Sequence, residues 1–129
     1  MLSLHTEDDM SSYFRNNLAW QKSVALAVEV YRVCGGFPRY EQYGLAQQMR
    51  RAAVSAPSNI AEGRGRRTIP DRRRFVLQAR GSTFELETQI EIARQLEYIS
   101  PEQATTLTEA INEVERLIHG MLRSLDDQE

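Results

Sequence analysis

Ser100–Leu125 reads SPEQATTLTEAINEVERLIHGMLRSL, and its spacing decides the fold. Ala104, Leu107, Ile111, Val114, Ile118, Met121 and Leu125 recur at alternating steps of three and four, the a/d pattern that lines apolar side chains along one seam of a helix. Ser100 followed by Gln103 is a capping box, and Pro101 suits a first helical position, so a helix is predicted over about 101–126. A seam this narrow needs partner helices on one side and water on the other.

Working back from that helix, Ile69, Val76, Ala79, Thr83, Leu86, Ile90 and Ala93 mark the buried side of a long third helix, predicted over about 69–98. Thr68-Ile69-Pro70-Asp71 opens it as an N-cap with proline in the first turn. The break before Ser100 is so short that helices three and four must be antiparallel neighbours. Leu45, Met49, Ala52, Ala56 and Ile60 define a second helix over about 41–62, with Pro57 inside it and Gly63 and Gly65 as its stop. Helix one, about 17–34, ends at Gly35-Gly36. No segment alternates as a strand between turn signals. The fold class is therefore all-α, a four-helix bundle in up-down-up-down order over residues 16–129, preceded by a flexible N-terminal arm, 1–15, that is polar and lacks a sustained period.

Helix one has too many apolar residues for one core. Trp20, Val24, Ala27, Tyr31 and Cys34 form one stripe; Leu26, Val30 and Val33 form another. One stripe faces the bundle, which leaves Leu26, Val30 and Val33 for a subunit contact. Oligomerisation follows from this width, before any resemblance is considered.

The 129 residues suit one domain, and the single cysteine, Cys34, excludes an internal disulfide and a cysteine zinc site and fits a reducing compartment. With no signal-like N-terminus and no stretch apolar enough to span a bilayer, the expected location is cytoplasmic. The net charge of −2 hides an asymmetry: Arg64, Arg66, Arg67, Arg72, Arg73, Arg74 and Arg80 crowd the middle of the chain, where Glu62 and Asp71 are the nearby acids. Two readings stand beside each other. Antiparallel order would place the acidic end of helix four, with Asp126, Asp127 and Glu129, near the start of helix three, giving internal ion pairs. Alternatively, the arginines form a phosphate-binding rim for RNA or DNA, multiplied by copies around an assembly.

Arg51, Ser55, Asn59 and Glu62 fall along one edge of helix two. The structural reading is a partly buried polar network that fixes helix register or a subunit contact, and the functional reading is a small polar site. No nucleophile, histidine or second acid joins them by spacing, and His5 and His119 lack partners at metal-ligand spacing. No catalytic site, metal, cofactor or small-molecule substrate is expected. Trp20, Tyr31, Phe75 and Phe84 are assigned to packing.

Leu18–Ile99 resembles a known family. The resemblance rests on Ala19-Trp20-Gln21, Phe37-Pro38, Tyr43-Gly44-Leu45, Gln48-Met49-Arg50-Arg51-Ala52, Ser55-Ala56-Pro57-Ser58-Asn59-Ile60-Ala61-Glu62-Gly63, Ala79-Arg80-Gly81-Ser82 and Glu85-Leu86. These are similar to the bacterial four-helix-bundle proteins, many of them encoded in intervening sequences of large-subunit ribosomal RNA genes. The resemblance implies a left-handed bundle, assembly into homopentameric rings, and no established catalytic activity. A related accessory protein of diversity-generating retroelements is a basic pentamer that binds nucleic acid and a reverse transcriptase; this chain departs from it in its pI of about 5.8. The function expected is a homo-oligomeric scaffold or binding module for nucleic acid or a protein, against the alternative of a structural protein that binds no nucleic acid.

Overall fold

Residues 101–127 form one uninterrupted helix in the computed structural model, which describes residues 7–128. All seven seam residues of this helix, α4 (Pro101–Asp127), are buried, and Leu122 joins them. Its capping box closes as predicted: the Gln103 backbone N–H donates to Ser100 Oγ (3.0 Å) and the Ser100 N–H to Gln103 Oε1 (2.9 Å). Before it come α1 (Glu7–Cys34), a 3-10 turn (Arg39–Glu41), α2 (Leu45–Arg64) and α3 (Ile69–Gln95), with no strand among the described residues. In this bundle α1 packs on α2 and α4, and α3 packs on α2 and α4. Thr68 caps α3 by accepting from the Asp71 N–H at 3.2 Å.

Three boundaries differ from the expectation. No glycine or proline interrupts Glu7–Cys34, and α1 runs through residues 7–15, which the sequence assigned to an arm; residues 1–6 of that arm lie outside the described residues. Helix two starts at Leu45 instead of about 41, because the Glu41 carboxylate accepts from the Leu45 N–H (3.1 Å) and from Tyr98 Oη (2.9 Å), tying the turn to the far end of α3. Helix three ends at Gln95 because Glu97 takes a left-handed φ of 61°. The Glu97 and Tyr98 N–H groups then donate to Arg94 O and Ala93 O at 3.0 and 2.9 Å, a Schellman closure.

The largest correction concerns which arc of α1 is inside. Leu26, Val30 and Val33 are 2%, 0% and 8% exposed and belong to the core, with Ala19, Ser23 and Cys34. They are not a surface stripe. The arc left on the surface carries Val28 and Tyr31, 44% and 50% exposed, with Trp20 and Val24 partly covered. Ser23 tolerates full burial because its hydroxyl donates to Trp20 O within the helix, at 2.9 Å.

Pro57 is buried within α2, which continues through it to Arg64. Gly63, six residues on, sits tight against α3. A Cβ there would lie 3.3 Å from Phe75 Cβ and 3.4 Å from Arg72 O, so the glycine is required by contact and not by backbone conformation. Cys34 is a core residue whose burial pushes its thiol up from the usual value, and Sγ lies 3.7 Å from Ala46 O.

Candidate assembly face and arginine rim

Between α1 and α2 the surface is concave. Trp20, Val24, Ala27, Val28, Val54 and Pro57 line a groove of about 650 Å³ that runs on to Tyr31 and Ala61. Val54, a β-branched residue in the exposed part of α2, is 43% exposed. The groove opens into a second cleft of about 450 Å³, which shares Tyr31 and Val54 and adds Gln47, Arg50, Arg51 and Ser55. Arg50 is held there by bonds to Gln42 O (2.8 Å) and Gln42 Oε1 (3.3 Å), and its guanidinium lies 5.9 Å from the Tyr31 ring centroid. No acidic residue lines either depression. Sequence reasoning missed this cleft because Tyr31 and Arg50 belong to different helices whose rotation had first to be known.

The polar edge of α2 is only partly a network. Asn59 Nδ2 donates to Ser55 O and Ser55 Oγ at 2.9 and 3.0 Å, and Ser82 Oγ of α3 donates to Ser55 Oγ at 2.8 Å. Ser55, Asn59 and Ser82 therefore fix the register of α2 against α3. Arg51 faces the cleft instead. Glu62 turns away to solvent, its side chain 55% exposed, and pairs with Arg66 at 3.0 Å. An exposed i,i+4 pair is worth about 0.3–0.5 kcal/mol, so Glu62 is not the buried anchor that its place in the motif suggested.

The arginine cluster is divided. Arg73 reaches Asp126 at 2.8 Å, joining the start of α3 to the end of α4 as the ion-pair reading required. Arg74 pairs with Asp71 at 2.7 Å. Arg66 spans Glu62 and, at 3.8 Å, Asp71. The Arg66 and Arg74 guanidinium carbons lie 4.5 and 4.3 Å from the Phe75 ring centroid. Arg72 donates from Nε to Arg66 O at 2.8 Å and so closes the turn between α2 and α3. Removing Arg72, Arg73 and Arg74 together would therefore disturb the fold as well as any rim. Arg64, Arg67 and Arg80 have no ion pair among the described residues; Arg64 rests 5.6 Å from the Trp20 ring and Arg80 5.8 Å from that of Phe84.

One titrating group stands apart from both surfaces. Glu115 on α4, half-buried, is held up to about 7, first by desolvation and then by hydrogen bonding and repulsion from Glu87 on α3, with Thr83 opposing. Because the folded value lies above the ordinary 4.5, the folded chain binds more protons than the unfolded chain between about 4.5 and 7, and stability falls as pH rises through that window. Urea unfolding should give a lower free energy at pH 7.5 than at pH 5, and Glu115→Gln should raise the value at pH 7.5 and flatten the slope. Equal pH dependence in parent and variant would contradict the assignment. Among the described residues no group of three or more acids, histidines or cysteines could hold a metal ion, and no helix is long and apolar enough to cross a membrane.

Residues 15–120 match a family model described as 23S rRNA-intervening sequence protein. Among solved structures the chain is similar to a protein with unknown function from the S23 ribosomal protein family from Bacteroides thetaiotaomicron VPI-5482, at 21% identity over 84% of this chain and 98% of that one, with a TM-score of 0.79. Likeness at that identity speaks for the fold. No curated protein matches the chain.

Proposed function

This chain belongs to the 23S rRNA-intervening sequence protein family, and from that premise we propose that it is a cytoplasmic, non-enzymatic scaffold: an antiparallel up-down-up-down bundle that works as a homo-oligomer and presents repeated copies of its surface to a partner. The observation that carries this reading is the α1–α2 face, where Val28, Tyr31 and Val54 are 44%, 50% and 43% exposed beside Trp20 and Pro57. Contiguous apolar surface of this kind marks a contact region, and each aliphatic side chain left in water forgoes roughly 1.5–3 kcal/mol relative to full burial. The non-enzymatic part is supported by the fate of the motif residues: Asn59 is bonded to Ser55, and Glu62 is paired with Arg66 in solvent. A ring of five copies is what the family resemblance implies, and contacts between unlike faces close at whatever rotation their geometry sets.

A polyanion contact is the second reading, favoured by Arg64 and Arg67, both exposed and without an ion pair among the described residues. Repeated around a ring, weak phosphate contacts add up.

Light scattering at micromolar concentration tests the first reading: a mass near five times 14.8 kDa is expected, and a monomer overturns it. Retention on immobilised RNA and DNA at increasing salt tests the second. Binding should fall steeply with salt, and Arg64→Ala with Arg67→Ala should shift elution to lower salt without changing the mass. No retention of the parent at low salt would leave the chain a structural scaffold without a nucleic-acid role.

A further inference from the structure

A second apolar face lies on α3, away from the α1–α2 groove. Leu77, Phe84 and Ile92 are 38%, 49% and 43% exposed, and their spacing puts them on one side of the helix with Gly81 and Thr88 between. A Cβ built on Gly81 meets nothing within 4 Å, so the backbone beside Phe84 is open to close approach. Phe84 is the largest side chain of the stripe, with Arg80 5.8 Å from its ring centroid; the α1–α2 face is concave. Pairing the groove with itself about a twofold axis would leave the α3 stripe in water, whereas pairing groove with stripe covers both.

Charge points the same way. The cleft at one end of the groove carries Arg50 and Arg51 and no acid. Glu91, exposed, lies seven residues beyond Phe84 along α3, about 10.5 Å at the helical rise. Arg50 stands seven residues before Pro57 on α2, the same distance with the opposite sense. A helix laid antiparallel to α2, with Phe84 over Pro57 and Val54, therefore brings Glu91 to the arginine cleft. In the isolated chain Glu91 already bonds Arg94 at 2.7 Å, and the arginine holds its carboxyl down at about 2, so it is charged throughout the working pH range.

We infer that the occupant of the α1–α2 groove is the Leu77–Ile92 stripe of a second copy of this chain, docked head to tail with Phe84 in the groove and Glu91 at Arg50 and Arg51. This rests on the homo-oligomeric reading above and adds which two faces meet. Unlike faces make a heterologous contact, which propagates around a ring and does not stop at a pair.

Single-sided variants test it. Val54→Glu spoils the groove and Phe84→Glu spoils the stripe; both residues are exposed, and far-ultraviolet circular dichroism verifies that the helices persist. Each variant alone should fall to 14.8 kDa. Mixed in equal amounts they should form a discrete one-to-one heterodimer, because the mixture holds one intact groove and one intact stripe able to meet once. Val28→Glu with Leu77→Glu serves as a second pair if either protein fails to fold. A mixture that stays monomeric, or a Phe84→Glu variant that keeps the parent's mass, overturns the docking. In either case the oligomeric parent would still stand, whereas a monomeric parent overturns both readings together.

Discussion

Leu26→Glu combined with Val30→Glu should unfold the chain. Both side chains are in the core, 2% and 0% exposed, and no basic side chain lies in that core to receive a carboxylate. Each substitution loses about 1.5–3 kcal/mol of apolar burial and must in addition bury a charge, at an effective cost of several kcal/mol after relaxation. The pair together reaches the whole stability of an ordinary domain, about 5–15 kcal/mol. Circular dichroism should show lost helix, or the protein should be recovered only as aggregate. A folded monomer would return Leu26, Val30 and Val33 to the surface role that helix-one periodicity alone gave them.

Val28→Glu combined with Val54→Glu should do the opposite: keep the fold and lose the assembly. Val28 and Val54 stand across the groove, one on each helix, and are 44% and 43% exposed. In the monomer their replacement costs little, since surface substitutions away from special features stay within about 0.5 kcal/mol. In the assembly two carboxylates would be desolvated against an apolar partner, several kcal/mol per contact, repeated at every junction. Light scattering should fall to 14.8 kDa, with the helical spectrum retained and the melting temperature reduced only by the loss of association. A variant that keeps the parent's mass would move the contact elsewhere.

The contrast between these variants shows where the sequence was legible. α4 was readable residue by residue because it has a single apolar seam, and all seven positions are buried. The Ser100 box and the Thr68 cap were readable because capping depends on residues three apart and on nothing distant. The start of α3 and the end of α4 were placed together by topology alone, and Arg73 meets Asp126 there. α1 was ambiguous because its two arcs are similar in hydrophobicity, and only packing against α2 and α4 chooses between them. Small residues on the buried arc, Ala19 and Ser23, were the available signal, since helices approach most closely over small side chains. The α2 edge was misjudged for another reason. Spacing puts Glu62 beside Asn59, but spacing alone does not reveal that Arg66 at the helix end captures its carboxylate, or that Arg72 folds back onto Arg66 O. Both depend on the turn geometry between α2 and α3.

Trp20, the single tryptophan of the chain, lines the α1–α2 groove and reports directly on whether another copy covers that face. Acrylamide quenching of its fluorescence, measured at micromolar concentration on the parent and on Val28→Glu with Val54→Glu, is the most direct measurement. The account predicts a protected indole in the parent, quenching that increases as the parent is diluted and dissociates, and an accessible indole in the variant at every concentration. Equal quenching in the two proteins, independent of dilution, would show that the groove faces water in the working molecule and would contradict assembly through it.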